Sequence, residues 1–270
     1  MSADAPALTV DASLRGDVLL IGRNIGYEQR AFWRNPQAAI FTFALPVMFL
    51  ILFASLARGQ HIKSLGHINA EQYYIPSILA YGVMSACFSN LAIGMTLRRE
   101  MGLLKRVRGT PMPLWAYLSA VVGSALVVTV VQVVIALVIG RTVYGVHLPD
   151  EPLPFVVALF LGAATFCTLG FAVSSFVPNA EAAPAIVNLP YLVLVIFSGT
   201  FYPLAQGTLL AKFVNFFPVS HFIKAMFAPF DTLPGHSPWA WRDLLVVAVW
   251  GVVGLLVTVR RFRWEPKSAA

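Results

Sequence analysis

The residues of this chain that could do chemistry are few, and most stand apart. Five histidines (His61, His67, His147, His221 and His236) are scattered, with none of the His-Glu-x-x-His spacing that sets two imidazoles on one helix face. No Gly-x-Ser-x-Gly turn offers a nucleophile, and no Gly-x-x-x-x-Gly-Lys-Ser/Thr loop offers a phosphate cradle. The two cysteines, Cys87 and Cys167, lie in apolar stretches, where the expected role is small packing residues rather than a disulfide. The one dense cluster of charge is "RREMGLLKRVRGTPMP", residues 98–113, which holds five of the nineteen Lys and Arg residues together with Glu100. Its chemistry is that of contact, with charged and apolar groups offered to another surface.

The surrounding chain is built for lipid. It is 58% hydrophobic and 11% charged, with a mean hydropathy of +0.75; a soluble domain carries about a quarter of charged residues. A hydrocarbon core of roughly 30 Å needs about 20 apolar residues per helix. Apolar stretches of that order occur at 37–57, 75–97, 113–139, 153–177, 184–203 and 243–259, the last being the shortest, with Asp243 and Arg260 at its ends, where long side chains can reach the headgroups. The expected fold is therefore an all-α integral membrane protein with six transmembrane helices, forming a single transmembrane domain over residues 1–270. Residues 1–16 have no apolar run of a signal peptide, so the first span is expected to target the chain.

Positive residues near span ends resist translocation. With both termini in the cytoplasm, thirteen Lys and Arg fall on the inner side and six on the outer. The formal net charge of +7 then reads as topology and attraction to anionic membrane lipid, with no nucleic-acid partner. Arg outnumbers Lys fourteen to five, which points to a GC-rich bacterial source and a multi-pass protein of the bacterial cytoplasmic membrane.

Residues 98–112 thus face the cytoplasm between spans two and three. A positive loop can be only a topological anchor, but this one is ordered. Glu100 stands at its head and Lys105, Arg106 and Arg108 at its tail, as a helix dipole favours, and Thr110-Pro111 ends it. Leu103, Leu104 and Val107 share one apolar face. A short amphipathic helix of this kind suits docking to a partner protein. Residues 13–35 form a second amphipathic helix: Leu14, Val18, Ile21, Ile25 and Phe32 make its stripe, and Asn35-Pro36 breaks it before span one.

All six spans lack charged residues and histidine in their interiors, which weighs against a proton- or sodium-coupled carrier, since such carriers commonly keep ionisable relays there. An intramembrane enzyme lacks its carboxylate pair. With no nucleotide motif and no cytoplasmic segment long enough for an ATPase, energy for any work must enter from another chain. Gly82, Ala86, Asn90 and Gly94 recur every four residues in span two beside Ser85 and Ser89, and Ala164, Thr168 and Ala172 repeat the pattern in span four. Such stripes serve helix packing first. Read functionally, Ser89, Asn90, Thr168 and Asn188 are candidates for a weakly polar pathway, the two asparagines foremost because a buried amide needs a partner. Residues 204–241 hold two apolar pieces split by Pro218, too short to span, as in a re-entrant outer hairpin. It caps an exit path or packs spans five and six together.

At this point the chain resembles the ABC type-2 export permeases, close to the drug-resistance branch typified by daunorubicin exporters. The match rests on E-x-G-x(5)-R-x-T-P, here Glu100, Gly102, Arg108, Thr110 and Pro111, on "FSGTFYPL" from Phe197 to Leu204, and on "FFPVSHF" from Phe216 to Phe222. Gly109 stands where alanine is usual. The resemblance implies a subunit without its own ATPase site that pairs with itself or a sister permease and binds two copies of a separate ABC ATP-binding subunit. ATP and magnesium would reside on that subunit, and no cofactor on this chain. It further implies that Glu100–Pro111 is a coupling helix, that Phe217, Pro218 and His221 belong to an outer gate, and that a hydrophobic or amphipathic solute is exported. An ion-gradient-coupled transporter, or a permease for lipid-linked glycans, is the alternative.

Overall fold

The computed structural model describes residues 14–62, 68–110, 112–149, 151–201, 209–231 and 237–261. The chain begins with α1 (Leu14–Trp33), and Pro36 opens α2 (Pro36–Leu56), since its fixed φ suits a first turn and its missing N–H costs nothing there. A two-stranded ribbon follows, β1 (His61–Ile62) against β2 (Ile68–Asn69), antiparallel with His61 opposite Asn69. Then come α3 (Ala70–Met84), a π-helical turn over Ser85–Asn90, and α4 (Leu91–Glu100) as one continuous rod. The short α5 (Leu103–Arg108) leads to α6 (Leu114–Tyr144), which Gly145 caps at a φ of +66°. Beyond it lie α7 (Pro152–Ser174), α8 (Ala183–Phe197), α9 (Leu209–Val214), α10 (Pro218–Phe227) and α11 (Trp241–Arg261).

Among the described residues, five helical rods are long and apolar enough to cross a membrane: Ala39–Leu56, Ala70–Glu100, Trp115–Tyr144, Pro152–Ser174 and Trp241–Arg261. The protein is an all-α, multi-pass membrane protein. The stretch expected as a fifth span, 184–203, differs. Helix α8 has only 15 residues, about 22 Å at 1.5 Å per residue, and is the shortest of the six in place of the last. The backbone turns away at Gly199, whose φ of +96° is a left-handed conformation that side-chain-bearing residues resist.

Helix α3 is buried on nearly every side, which fits its apolar residues all round the wheel, and it forms the centre of the bundle. Ile75, Ile78, Val83 and Met84 meet Phe222, Met226 and Phe230 in the core. Helices α2 and α11 present rows of exposed apolar side chains, Ile40, Phe41, Met48 and Ile51 on one and Leu245, Val249, Val252 and Leu256 on the other, as lipid-facing helices do. The α7–α11 seam is close because Gly251 and Gly254 have no side chain where Thr165 and Thr168 press in.

Hydrogen bonds fix which helix ends lie together. At one end Arg98 of α4 meets Glu28 of α1 and Tyr117 of α6, and Arg99 meets the carbonyl of Ser174, the last residue of α7. At the other, Gln72 of α3 donates to the backbone oxygens of His147 and Phe230, and Tyr73 donates to the Gly199 carbonyl. Helix α6 has 31 residues, about 46 Å, so it outruns the hydrocarbon core. Helix α1 packs along its first part through Ile25 against Gly123 and Gln29 against Ser124.

Candidate functional site

The first candidate is the turn after span two. The short helix opens three residues later than the sequence pattern suggests, at Leu103, so Glu100 closes α4 instead of opening it. Gly102, at a φ of +67°, makes the break and redirects the chain into α5. Leu104 is fully buried and roots α5 in the core, Val107 is half-buried, and Leu103 is exposed, so the expected apolar face is narrower than three residues. Lys105, Arg106 and Arg108 all point outward and are exposed. Thr110 folds back, its Oγ1 donating to the Val107 carbonyl at 2.6 Å, while Pro111 lies outside the described residues. Glu100 is half-buried and has no salt-bridge partner among the described residues. The result is a small basic knob on a fixed root.

Behind the knob, two neighbouring arginines do different things. The Arg98 guanidinium donates to both carboxylate oxygens of Glu28, at 2.9 and 2.5 Å, and to the Tyr117 hydroxyl at 2.9 Å. Arg99, 3% exposed, donates to the carbonyls of Ser174 at 2.9 Å and Val177 at 2.6 Å. Counting positive charge by loop registers these residues only as topology. A lone glutamate among the arginines of the first amphipathic helix was the available signal for the pair.

The second candidate is the polar group at mid-span. Ser89 donates to the Asn188 side-chain carbonyl, tying the π turn to α8, and Asn90 donates to Thr42 Oγ1 at 3.0 Å, tying it to α2. Asn90 and Asn188 remain exposed beside exposed Ile40, Phe41, Leu189 and Leu192. Thr168 stands elsewhere: its hydroxyl donates to Thr165 and Gly251 within the α7–α11 seam. Three of the four pathway candidates therefore come together, and the fourth, Thr168, lies in the α7–α11 seam. Thr42 completes the group and was not singled out by sequence.

The third candidate lies at the opposite end. Pro218 begins α10 and is buried, and Phe217 stacks on Trp250 of α11 at a centroid distance of 6.0 Å. Trp250 Nε1 donates to the Phe216 carbonyl at 3.1 Å. His221 Nδ1 lies 2.5 Å from Asp243 Oδ1, and its Nε2 donates to the Asn215 carbonyl at 2.7 Å. Both ring nitrogens thus face oxygens, and α10 is pinned between its own approach segment and α11. Asp243, expected only as a span end, is the missing member of this group.

Comparison with known proteins decides the family. The profile of the ABC-2 type transporter family matches residues 20–230. The chain belongs to that family. It is also similar to the Bacillus subtilis (strain 168) protein named transport permease YvfS, with 22% identity over 233 residues, covering 86% of this chain and 92% of the relative. This ABC-2 type chain is thus a membrane-embedded transport permease subunit. The matched stretch includes the knob, the mid-span group and α10, and it ends before α11. In this ABC-2 chain α11 is held by α7, through Thr165 and Thr168, and by α10, through His221.

Proposed function

We propose that this chain is the permease of an ATP-driven exporter of the drug-resistance type, working with two copies of a separate ATP-binding subunit and with a second permease copy or sister chain. Its substrate is a hydrophobic or amphipathic solute, and it sits in the bacterial cytoplasmic membrane with both termini inside. The observation that carries the reading is the knob: three exposed cations on a six-residue helix whose Leu104 is locked into the core. A charged surface with a rigid root can receive force and pass it inward. In this reading Glu100 and the cations contact the ATP-binding subunit, and Gly102 permits close backbone approach. Arg108 braces the loop, and Thr110 and Pro111 fix the turn into α6. Asn90, Asn188 and Ser89 border the pathway, since amides left bare to lipid are costly. Phe217, Pro218 and His221 form the outer gate.

The test is ATP hydrolysis by the complex purified with its ATP-binding subunit. Glu100→Arg, or Lys105→Glu with Arg106→Glu, is expected to lower hydrolysis about tenfold or to lose the subunit, the scale of a broken interfacial charge contact. Unchanged hydrolysis at normal assembly overturns the coupling role. Transport by the isolated permease under an ion gradient overturns the ATP-driven reading.

A further inference from the structure

We infer that Arg98 and Arg99 are positioning residues that lock the basic ends of α1, α4, α6 and α7 into one body at the root of the knob. The inference rests on the reading of α5 as the point where force enters. Successive residues of a helix point about 100° apart, so two neighbours can reach different partners. Arg98 turns to α1 and α6, where it holds Glu28 through two parallel N–H···O bonds and Tyr117 through a third. A paired contact of this kind fixes angle as well as distance. Arg99 turns to the end of α7 and spans the carbonyl of Ser174, the last residue of the helix, where the helix has run out of its own donors, and that of Val177 three residues beyond. The positive charge also suits the negative end of the α7 dipole.

A purely topological charge needs none of this. Lys105, Arg106, Arg108, Arg260 and Arg261 satisfy the inner-side bias while exposed to water. Arg99 instead is buried, and its Nε finds no acceptor within the described residues. Burial of a charge at some cost, at the base of the segment read here as the point where force enters, is what a fixed joint requires. With the joint rigid, displacement of α5 moves α1 and the ends of α6 and α7 with it, instead of being absorbed by bending of α4.

The discriminating variants are Arg98→Lys and Arg99→Lys. Each keeps the charge that sets topology and removes the planar fork. In nanodiscs, with Cys87→Ala and Cys167→Ala, spin labels at Arg23→Cys and Lys105→Cys report the α1–α5 distance. Labels at Lys105→Cys and Glu181→Cys report that between α5 and the segment after α7. Arg98→Lys is expected to broaden the first distribution about twofold and Arg99→Lys the second, as a bidentate contact becomes a single point. Glu28→Arg and Arg98→Glu should each broaden the first, and the exchanged pair together should narrow it again. Distributions unchanged in both lysine variants overturn the inference. These measurements contain no nucleotide and no partner, so they stand or fall apart from the ATP-driven reading.

Discussion

At the scale of single residues, glycines that look equivalent in sequence have different work. Gly94 and Gly170 both sit in apolar helices, and Gly94 belongs to a four-residue repeat. A methyl group built at Gly170 meets the Phe88 carbonyl at 3.0 Å and the Cys87 carbonyl at 3.1 Å, while one at Gly94 meets nothing within 4 Å. The Gly170 contact is with backbone, which cannot swing aside as a side chain does. Gly170→Ala is therefore expected to cost about 1–3 kcal/mol, as overpacking does. Gly94→Ala should be neutral or stabilise by up to about 1 kcal/mol through helix propensity. Thermal unfolding of the two variants in the same detergent gives the comparison. Equal midpoints would show that α7 and the π turn are not in tight contact. The four-residue repeat was legible in the sequence, but that Gly170, outside it, is the glycine that meets backbone depends on a partner about 80 positions away.

At the scale of elements, the π turn at Ser85–Asn90 is the soft point of the central rod. Five residues per hydrogen-bonded ring instead of four leave a wider, weaker turn, and such turns collect at functional places. Here it carries both Ser89 and Asn90, the residues that reach α8 and α2. Deleting Ser85 should convert the turn to regular α-helix while keeping the faces of α3 and α4, since the bulge accommodates one extra residue. Slower amide hydrogen exchange over residues 84–92 is the expected result, together with an equal or higher unfolding midpoint. Unchanged exchange would remove the turn from consideration as a hinge. Apolar length and Asn35-Pro36 made most helices legible in advance, because burial and proline act locally. The π turn, the short α8 and the break at Gly102 were not legible. Each depends on a left-handed glycine or on packing that composition does not encode. The Ser89–Asn188 bond joins residues 99 positions apart, and no periodicity within either helix announces it.

At the scale of the whole molecule, charge and architecture agree on which end is which. Helix α7 runs toward the basic end, and α11 runs parallel to it, since Thr165 meets Val247 while Thr168 receives Thr258 further along. That places Arg260 and Arg261 with Arg98, Arg99 and the knob. Of the Lys and Arg residues whose side chains are described, ten then lie at this end (Arg23, Arg30, Arg34, Arg98, Arg99, Lys105, Arg106, Arg108, Arg260 and Arg261). Five lie at the other: Arg58, Arg141, Lys212, Lys224 and Arg242. The fold thus sorts the charges two to one, as the loop count in the sequence does, although helix packing has no knowledge of translocation. By the positive-inside rule the richer end is the one expected in the cytoplasm, as proposed above. A membrane-impermeant maleimide applied to intact cells should therefore label Arg58→Cys and Arg141→Cys and leave Lys105→Cys untouched until the membrane is opened, in a background free of Cys87 and Cys167. Labelling of Lys105→Cys from outside would invert the molecule, putting the knob beyond the reach of any cytoplasmic ATPase and removing the physical basis for driving this permease with ATP.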